Sequence, residues 1–249
     1  MEAIEAGERV CMELLLSETE TRFLGYSYDD YVNMFDLKPH ELHSMRFLDY
    51  AGALNGFTST MMRDNLKSTC VDPLYSIPKV QLEGKIELAC LNFKNYLEQH
   101  FDDLCIDEDK IEETVQQKRL VALRTLESYD AGKNSGCFKE QALPSLELED
   151  NSYDMALCSH LLFTYGDVLS EQFHIDSILE LARVAYQVRV FPLVCETGKL
   201  SDHIGPVLQT LQEKGYKSEI RQVSHKFQKI GNAMLVIDSS QCDIREDTA

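Results

Sequence analysis

The chain has 249 residues, 44% of them hydrophobic, with Lys+Arg 24 against Asp+Glu 42 and a formal net charge of −18. That length and apolar content suit one α/β domain with helical additions and exclude wholesale disorder. Charge this negative repels phosphate backbones and anionic lipid, so neither a nucleic-acid nor a membrane partner is expected.

The opening MEAIEAGERVCMELLLSETE carries acids where a secretory leader needs basic residues, and no run of about 18 apolar residues follows to cross a bilayer. The cysteines are scattered without a CxxC pair, which is neither a disulfide framework nor a zinc ribbon. A cytoplasmic location is the expectation.

Residues 1–45 read as a helical extension. Ile4, Val10, Leu14 and Leu15 recur at roughly helical spacing; Tyr28, Tyr31, Val32 and Phe35 do so behind Ser27, a candidate cap, until Pro39 interrupts them. The period changes at RFLDYAG (46–52), a short apolar run that opens a domain expected to span 46–240. A helix over Phe57–Asn65 and a second strand in KSTCVDPLY (67–75), stopped by Pro73, come next. Residues 85–130 hold a long helical insertion, amphipathic in both halves and suited to a lid. AGKNSG (131–136) reads as a loop. Strands resume at 152–159 and 187–194 with a helix over 175–186 between them, and a helix over 203–215 stops at Gly215. Two antiparallel strands within 217–238 and a polar tail, 241–249, close the chain. Strands alternating with helices predict an open, doubly wound, mostly parallel sheet with helices on both faces. Such sheets bind ligands outside the carboxyl ends of their strands.

The strand ends therefore carry the candidate chemistry. The first ends in Asp49-Tyr50-Ala51-Gly52-Ala53-Leu54-Asn55-Gly56, where small residues let backbone approach a ligand closely. The second ends at Asp72, 23 residues beyond Asp49, about where a second-strand acid reaches ribose hydroxyls. A carboxylate accepts from both hydroxyls at once, although VDP also reads as a strand stop with an Asx turn. Cys158, Ser159 and His160 end the fourth strand, and His160 is the candidate general base. Other features have plainer readings. His40 and His43 beside Glu41 lack a third neutral ligand at metal spacing, so no metal is expected. Arg189, mid-strand, calls for a buried ion pair, and Phe163 and Tyr165 for core packing.

LDYAGALNGFT, CVDPLY, SYDMALCSHLLFTY, FHIDSILELARVAYQVRVFPL and MLVI together resemble bacterial class I S-adenosylmethionine-dependent methyltransferases, over about residues 46–238. More narrowly they are similar to an uncharacterised branch with a VRIFPL-like fifth strand. The resemblance implies a Rossmann-like, seven-stranded sheet and S-adenosylmethionine as cofactor. It also implies a methyl acceptor that is a small molecule or a protein. It places Asp49 near the methionine moiety, Ala51, Gly52 and Ala53 in the cofactor turn, Asp72 at the ribose, and Cys158 and Ser159 toward the sulfonium. The common pattern is acid-x-Gly-x-Gly-x-Gly; here Ala51, Ala53 and Asn55 stand at the three glycines. The alternative is a descendant of the fold that has lost the cofactor and acts as a binding module. A nicotinamide-dependent oxidoreductase is disfavoured, since no G-x-G-x-x-G occurs.

Overall fold

Helix and strand alternate through the computed structural model, which describes residues 25–240. The helix expected around Ile4–Leu15 and the tail 241–249 lie outside these residues. Helix α1 (Tyr28–Met34) starts where the sequence indicates: Ser27 and Asp30 form a reciprocal capping box. Pro39 does not merely interrupt; it is the first residue of a short helix, α2 (Pro39–Ser44), where its fixed φ suits the first turn. Then follow β1 (Phe47–Tyr50), α3 (Gly56–Arg63), β2 (Ser68–Val71) and a 3-10 turn over Pro73–Ser76. The insertion forms α4 (Lys79–Gln99) and α5 (Ile111–Glu127), antiparallel neighbours. The chain continues through α6 (Tyr129–Ser135), β3 (Phe138–Lys139), β4 (Met155–Ser159) and α7 (Glu171–Val184). It closes with β5 (Gln187–Phe191), α8 (Ile204–Glu213), β6 (Lys217–Gln222) and β7 (Ala233–Asp238).

The seven strands form one sheet in the order β3-β2-β1-β4-β5-β7-β6. All pairings from β3 to β5 are parallel, and β7 runs antiparallel to both β5 and β6. The chain winds outward from β1 to β3, then reverses through β4, so the switch point of the sheet lies between β1 and β4. The fold class read from the sequence is therefore the one observed.

Side-chain parity along the strands sets the two faces. Leu48, Ala156, Cys158, Val188, Val190, Leu235 and Ile237 point to one core with α7 and α8. Phe47, Met155, Leu157, Phe191, Met234 and Val236 point to the other, against α1 to α3. Asp49 and Arg189 share the parity of this second face, which decides their partners. A third cluster packs α4 and α5 against the β2 edge and the β1 turn.

The sequence reads as a loop over 131–136, but most of these residues are helical in α6. Tertiary anchors override the weak local propensity of Gly132 and Asn134: the Tyr129 hydroxyl donates to the carbonyls of Tyr75 and Ile77, and Lys133 to that of Tyr75. A Cβ on Gly132 would lie 2.3 Å from the Phe138 ring, so glycine is what admits β3 beside this helix. The fifth strand is also shorter than expected, ending at Phe191.

Candidate functional site at the carboxyl ends of the strands

Asp49 and Asp72 end up on adjacent parallel strands, with Asp49 in register with Cys70 and Tyr50 with Val71. Asp49 is fully buried. Its carboxylate accepts from the Tyr31 hydroxyl at 3.0 Å and from Thr58 Oγ1 at 3.1 Å, donors carried by α1 and α3. Burial pushes its pKa up to about 7; the two hydroxyls work against that shift, and the nearby Asp72 charge adds to it. Gly52 stands against this carboxylate so closely that a Cβ would meet it at 2.3 Å. Glycine is needed there for Asp49 itself.

Asp72 is 1% exposed and spends both oxygens on main chain. Oδ1 accepts from the Leu74 N–H at 2.8 Å, capping the 3-10 turn, and Oδ2 accepts from the Ala53 N–H at 3.1 Å. It therefore stitches the end of β2 to the turn after β1.

Of the three positions where glycine is usual, only the first has a backbone that asks for it. Ala51 sits at φ +62, in the left-handed region that costs an L-residue about 1–2 kcal/mol. Asn55 has ordinary extended dihedrals as the residue before α3. Its side chain accepts from the Tyr26 N–H and donates to the Tyr31 hydroxyl. Ala53 and Leu54 are buried against α4 and α5.

The cover over the turn is built by one stripe of α5. The Thr125 hydroxyl donates to the Asn55 carbonyl, and Val121 touches the space beside Gly56. The Lys118 ammonium lies 3.3 Å from the centroid of the Tyr26 ring. Burial lowers the Lys118 pKa to about 8, despite the Asp30 charge. The other face of Tyr26 stacks on His160 at 4.3 Å.

His160 leaves β4 at φ +49 and has both ring nitrogens engaged, Nδ1 with the Ser159 hydroxyl at 2.8 Å and Nε2 with the Tyr26 hydroxyl at 3.0 Å. Burial, helped by the Lys118 charge, holds its pKa well below the usual value, so the ring is neutral. Cys158 packs inside the α7 core. Arg189 is the buried ion pair expected, 2.6 Å from Glu41, which leaves His40 and His43 exposed and without that carboxylate. Phe163 and Tyr165 are core residues.

Sequence reasoning did not find Tyr26, Lys118 or His225. The signal for His225 existed: β6 runs parallel to β5, so the loop after it, 223–232, must return on the carboxyl-end side. There His225 and Gln228 join His160, Thr164 and Cys195 around a small cavity of about 20 Å³.

No family model matches the chain. A relative in sequence is the uncharacterized protein MJ0045 of Methanocaldococcus jannaschii, 26% identical over 226 residues, which are 89% of this chain and 98% of that one. Among solved structures, the PH0226 protein of Pyrococcus horikoshii matches with TM-score 0.43 and 12% identity over 85% of this chain and 90% of its own. The pyocyanin biosynthetic protein PhzM matches with TM-score 0.42 and 11% identity; 84% of this chain is aligned, and it spans about half, 53%, of that protein. The [4+2]-cyclase SpnF matches at 0.41 and 13%, over 95% and 96% of the two chains.

Two acids beside a small-residue turn are the donor types that an adenosyl sulfonium amino acid would call for, and here both are buried and bonded within the chain, with Ala53 and Leu54 of the turn packed against α4 and α5.

Proposed function

We propose that the chain is an S-adenosylmethionine-dependent methyltransferase whose α4–α5 insertion is a lid over the cofactor site. The observation that carries this reading is the pair Asp49 and Asp72, at the carboxyl ends of adjacent parallel strands, flanking a turn of alanine and glycine at the switch point of the sheet. The resemblance of the same segments to class I methyltransferases supports it. When bound, the cofactor supplies a methyl group on a sulfonium, an electrophile with its leaving group built in. The chain's own work is then positioning and exclusion of water, and orientation alone lowers a barrier by about 7–11 kcal/mol at best. Asp72 would exchange its main-chain partners for ribose hydroxyls. Asp49 would hold the amino acid end, and Cys158 and Ser159 would back the reacting centre. His160, with Tyr26 on one nitrogen, is poised to orient rather than to take a proton until Tyr26 moves.

S-Adenosylhomocysteine tests this in a thermal melt. A ligand present at 100 times its Kd stabilises the folded state by roughly 2.7 kcal/mol, which raises Tm by several degrees. The binding-module reading has its own support in the burial of Leu54 among α4 and α5 and in the two hydrogen bonds of Asn55. On that reading Tm stays unchanged.

A further inference from the structure

The cavity beside His160 is polar at its inner end. Thr164 is 4% exposed, and its Oγ1 has no hydrogen-bond partner among the described residues. The Nε2 of His225 is likewise buried and without one. Both side chains line this cavity, which is held between the loop after β4 and the β6–β7 loop. Leaving buried polar atoms unpaired costs about 1–3 kcal/mol each, so two in one cavity mark a place that something else completes. A space of about 20 Å³ accommodates one water-sized group. Glu196 and Gln228 line both this cavity and a second, larger groove of about 180 Å³, walled by Tyr96, Asp103 and Ile230. Ile230 is an apolar side chain on the rim, 67% exposed.

The hydrogen-bonding sense of the inner end is fixed by its neighbours. The Nδ1 of His225 faces Asp30 Oδ1 at 3.9 Å, which favours the proton on Nδ1 and leaves a lone pair on Nε2. Burial and the Lys118 charge lower the His225 pKa against the pull of Asp30, so the ring is neutral at pH 7. Glu196 contributes a carboxylate where the two spaces join, and Asp103 another along the groove. Lys229, the lysine on the groove wall, donates its ammonium to the Asp102 carbonyl. Among the other side-chain donors, the Gln228 amide is taken by the Tyr96 hydroxyl and the Glu196 carbonyl and Cys195 pairs with Thr197, so the inner end offers the Thr164 hydroxyl and the His225 lone pair, with negative charge from Glu196 and Asp103 beyond them. A carboxylate or phosphate would face a lone pair and two acids there.

We propose that this double pocket binds an aliphatic amine, its nitrogen seated between Thr164 Oγ1 and His225 Nε2 and its chain lying in the groove along Tyr96 and Ile230. As the place of the methyl acceptor this rests on the methyltransferase reading; as a binding site it does not.

The test is a cofactor-free titration of the whole chain with three probes of equal carbon length: 1,4-diaminobutane, 1,4-butanediol and succinate. Calorimetry is paired with the imidazole NMR resonances of His225. The diamine is expected to bind at least tenfold more tightly than the diol, to shift the His225 resonances, and to leave succinate without measurable binding. Thr164→Val, which keeps shape and removes the hydroxyl, and His225→Phe are each expected to weaken the diamine at least tenfold. Thr164→Val should leave Tm unchanged or raised, because the hydroxyl it removes is unpaired. Equal binding of diol and diamine, binding of succinate, or silence from the diamine overturns the proposal and leaves a structural water as the occupant. A chain that binds the diamine and not S-adenosylhomocysteine keeps this pocket and loses the methyltransferase reading; the reverse result keeps that reading and removes the amine.

Discussion

Ala51 is the residue where backbone and side chain disagree most plainly. Its φ of +62 is a glycine conformation held by an alanine. Ala51→Gly is expected to stabilise the protein by about 1 kcal/mol, the relief of left-handed strain less the added unfolded-chain entropy. Urea midpoints of the two proteins check this. Ala53 has no positive φ and packs in the apolar cluster, so Ala53→Gly should destabilise instead. Asp49 gives a second prediction. Its folded pKa of about 7 lies above the unfolded value of about 3.9, so between those values the folded state holds a proton that the unfolded chain releases. The contribution is full below about pH 4 and is lost as pH rises through 7, by an amount on the order of a few kcal/mol. Asp49→Asn has no such proton, and its stability should fall less between pH 4.5 and 7.5 than that of the parent in denaturant melts at each pH. An equal fall in both would show that Asp49 ionises freely. The positions of Asp49 and Asp72 were legible in the sequence, because strand ends in a parallel sheet are where ligand-facing acids belong. Their present partners were not. Whether a carboxylate meets ribose or the Ala53 N–H depends on how a turn curls, and no residue type at 51–55 declares that.

At the level of elements, parity carried most of the information. β1, β4 and β7 are apolar on both faces, so it is the two-residue alternation of side chains along a strand, and no apolar–polar pattern, that says which face each side chain takes once the strands are aligned. The same alternation turns Arg189 toward α2, where its guanidinium meets Glu41 at 2.6 Å and the Phe35 carbonyl at 2.6 Å. Breaking such a pair leaves an uncompensated buried charge, so Arg189→Met is expected to cost about 3–5 kcal/mol. Adding Glu41→Gln should return most of that loss, and a double-mutant cycle by chemical denaturation measures it. Additive losses in the double variant would mean that the two charges do not act on each other. Two elements escaped the sequence reading, α6 and β3. Both are short, and both exist because Tyr129 and Phe138 meet Tyr75 from far earlier in the chain and Gly132 leaves room for Phe138. Local pattern cannot express such contacts. The helical insertion was legible as two amphipathic stretches. Its contact with the β1 turn through Val121 and Thr125, and with Tyr26 through Lys118, was not, since those residues are only a stripe on a helix until a surface is placed against them.

For the whole molecule, the sheet order assigns three devices to one crevice: the Asp49–Asp72 turn, the buried stack of Lys118, Tyr26 and His160, and the polar cavity under the β6–β7 loop. On the proposed methyltransferase reading the first would hold an adenosyl cofactor, the second would cover it, and the third would receive a second substrate beside the end of β4. The high negative charge fits a cationic cofactor and a cationic acceptor better than phosphorylated partners. All of this turns on whether the covered crevice opens to S-adenosylmethionine. Calorimetric titration of the intact chain with S-adenosylmethionine and S-adenosylhomocysteine, beside the Asp72→Ala variant, measures it directly. Saturable binding of both ligands by the parent chain is the outcome expected of a methyltransferase. In the variant a loss of at least tenfold is expected, since hydrogen bonds to a charged acceptor contribute roughly 1.5–3 kcal/mol. Silence from the parent chain, with circular dichroism showing the sheet intact, or undiminished affinity in Asp72→Ala, would contradict the methyltransferase reading.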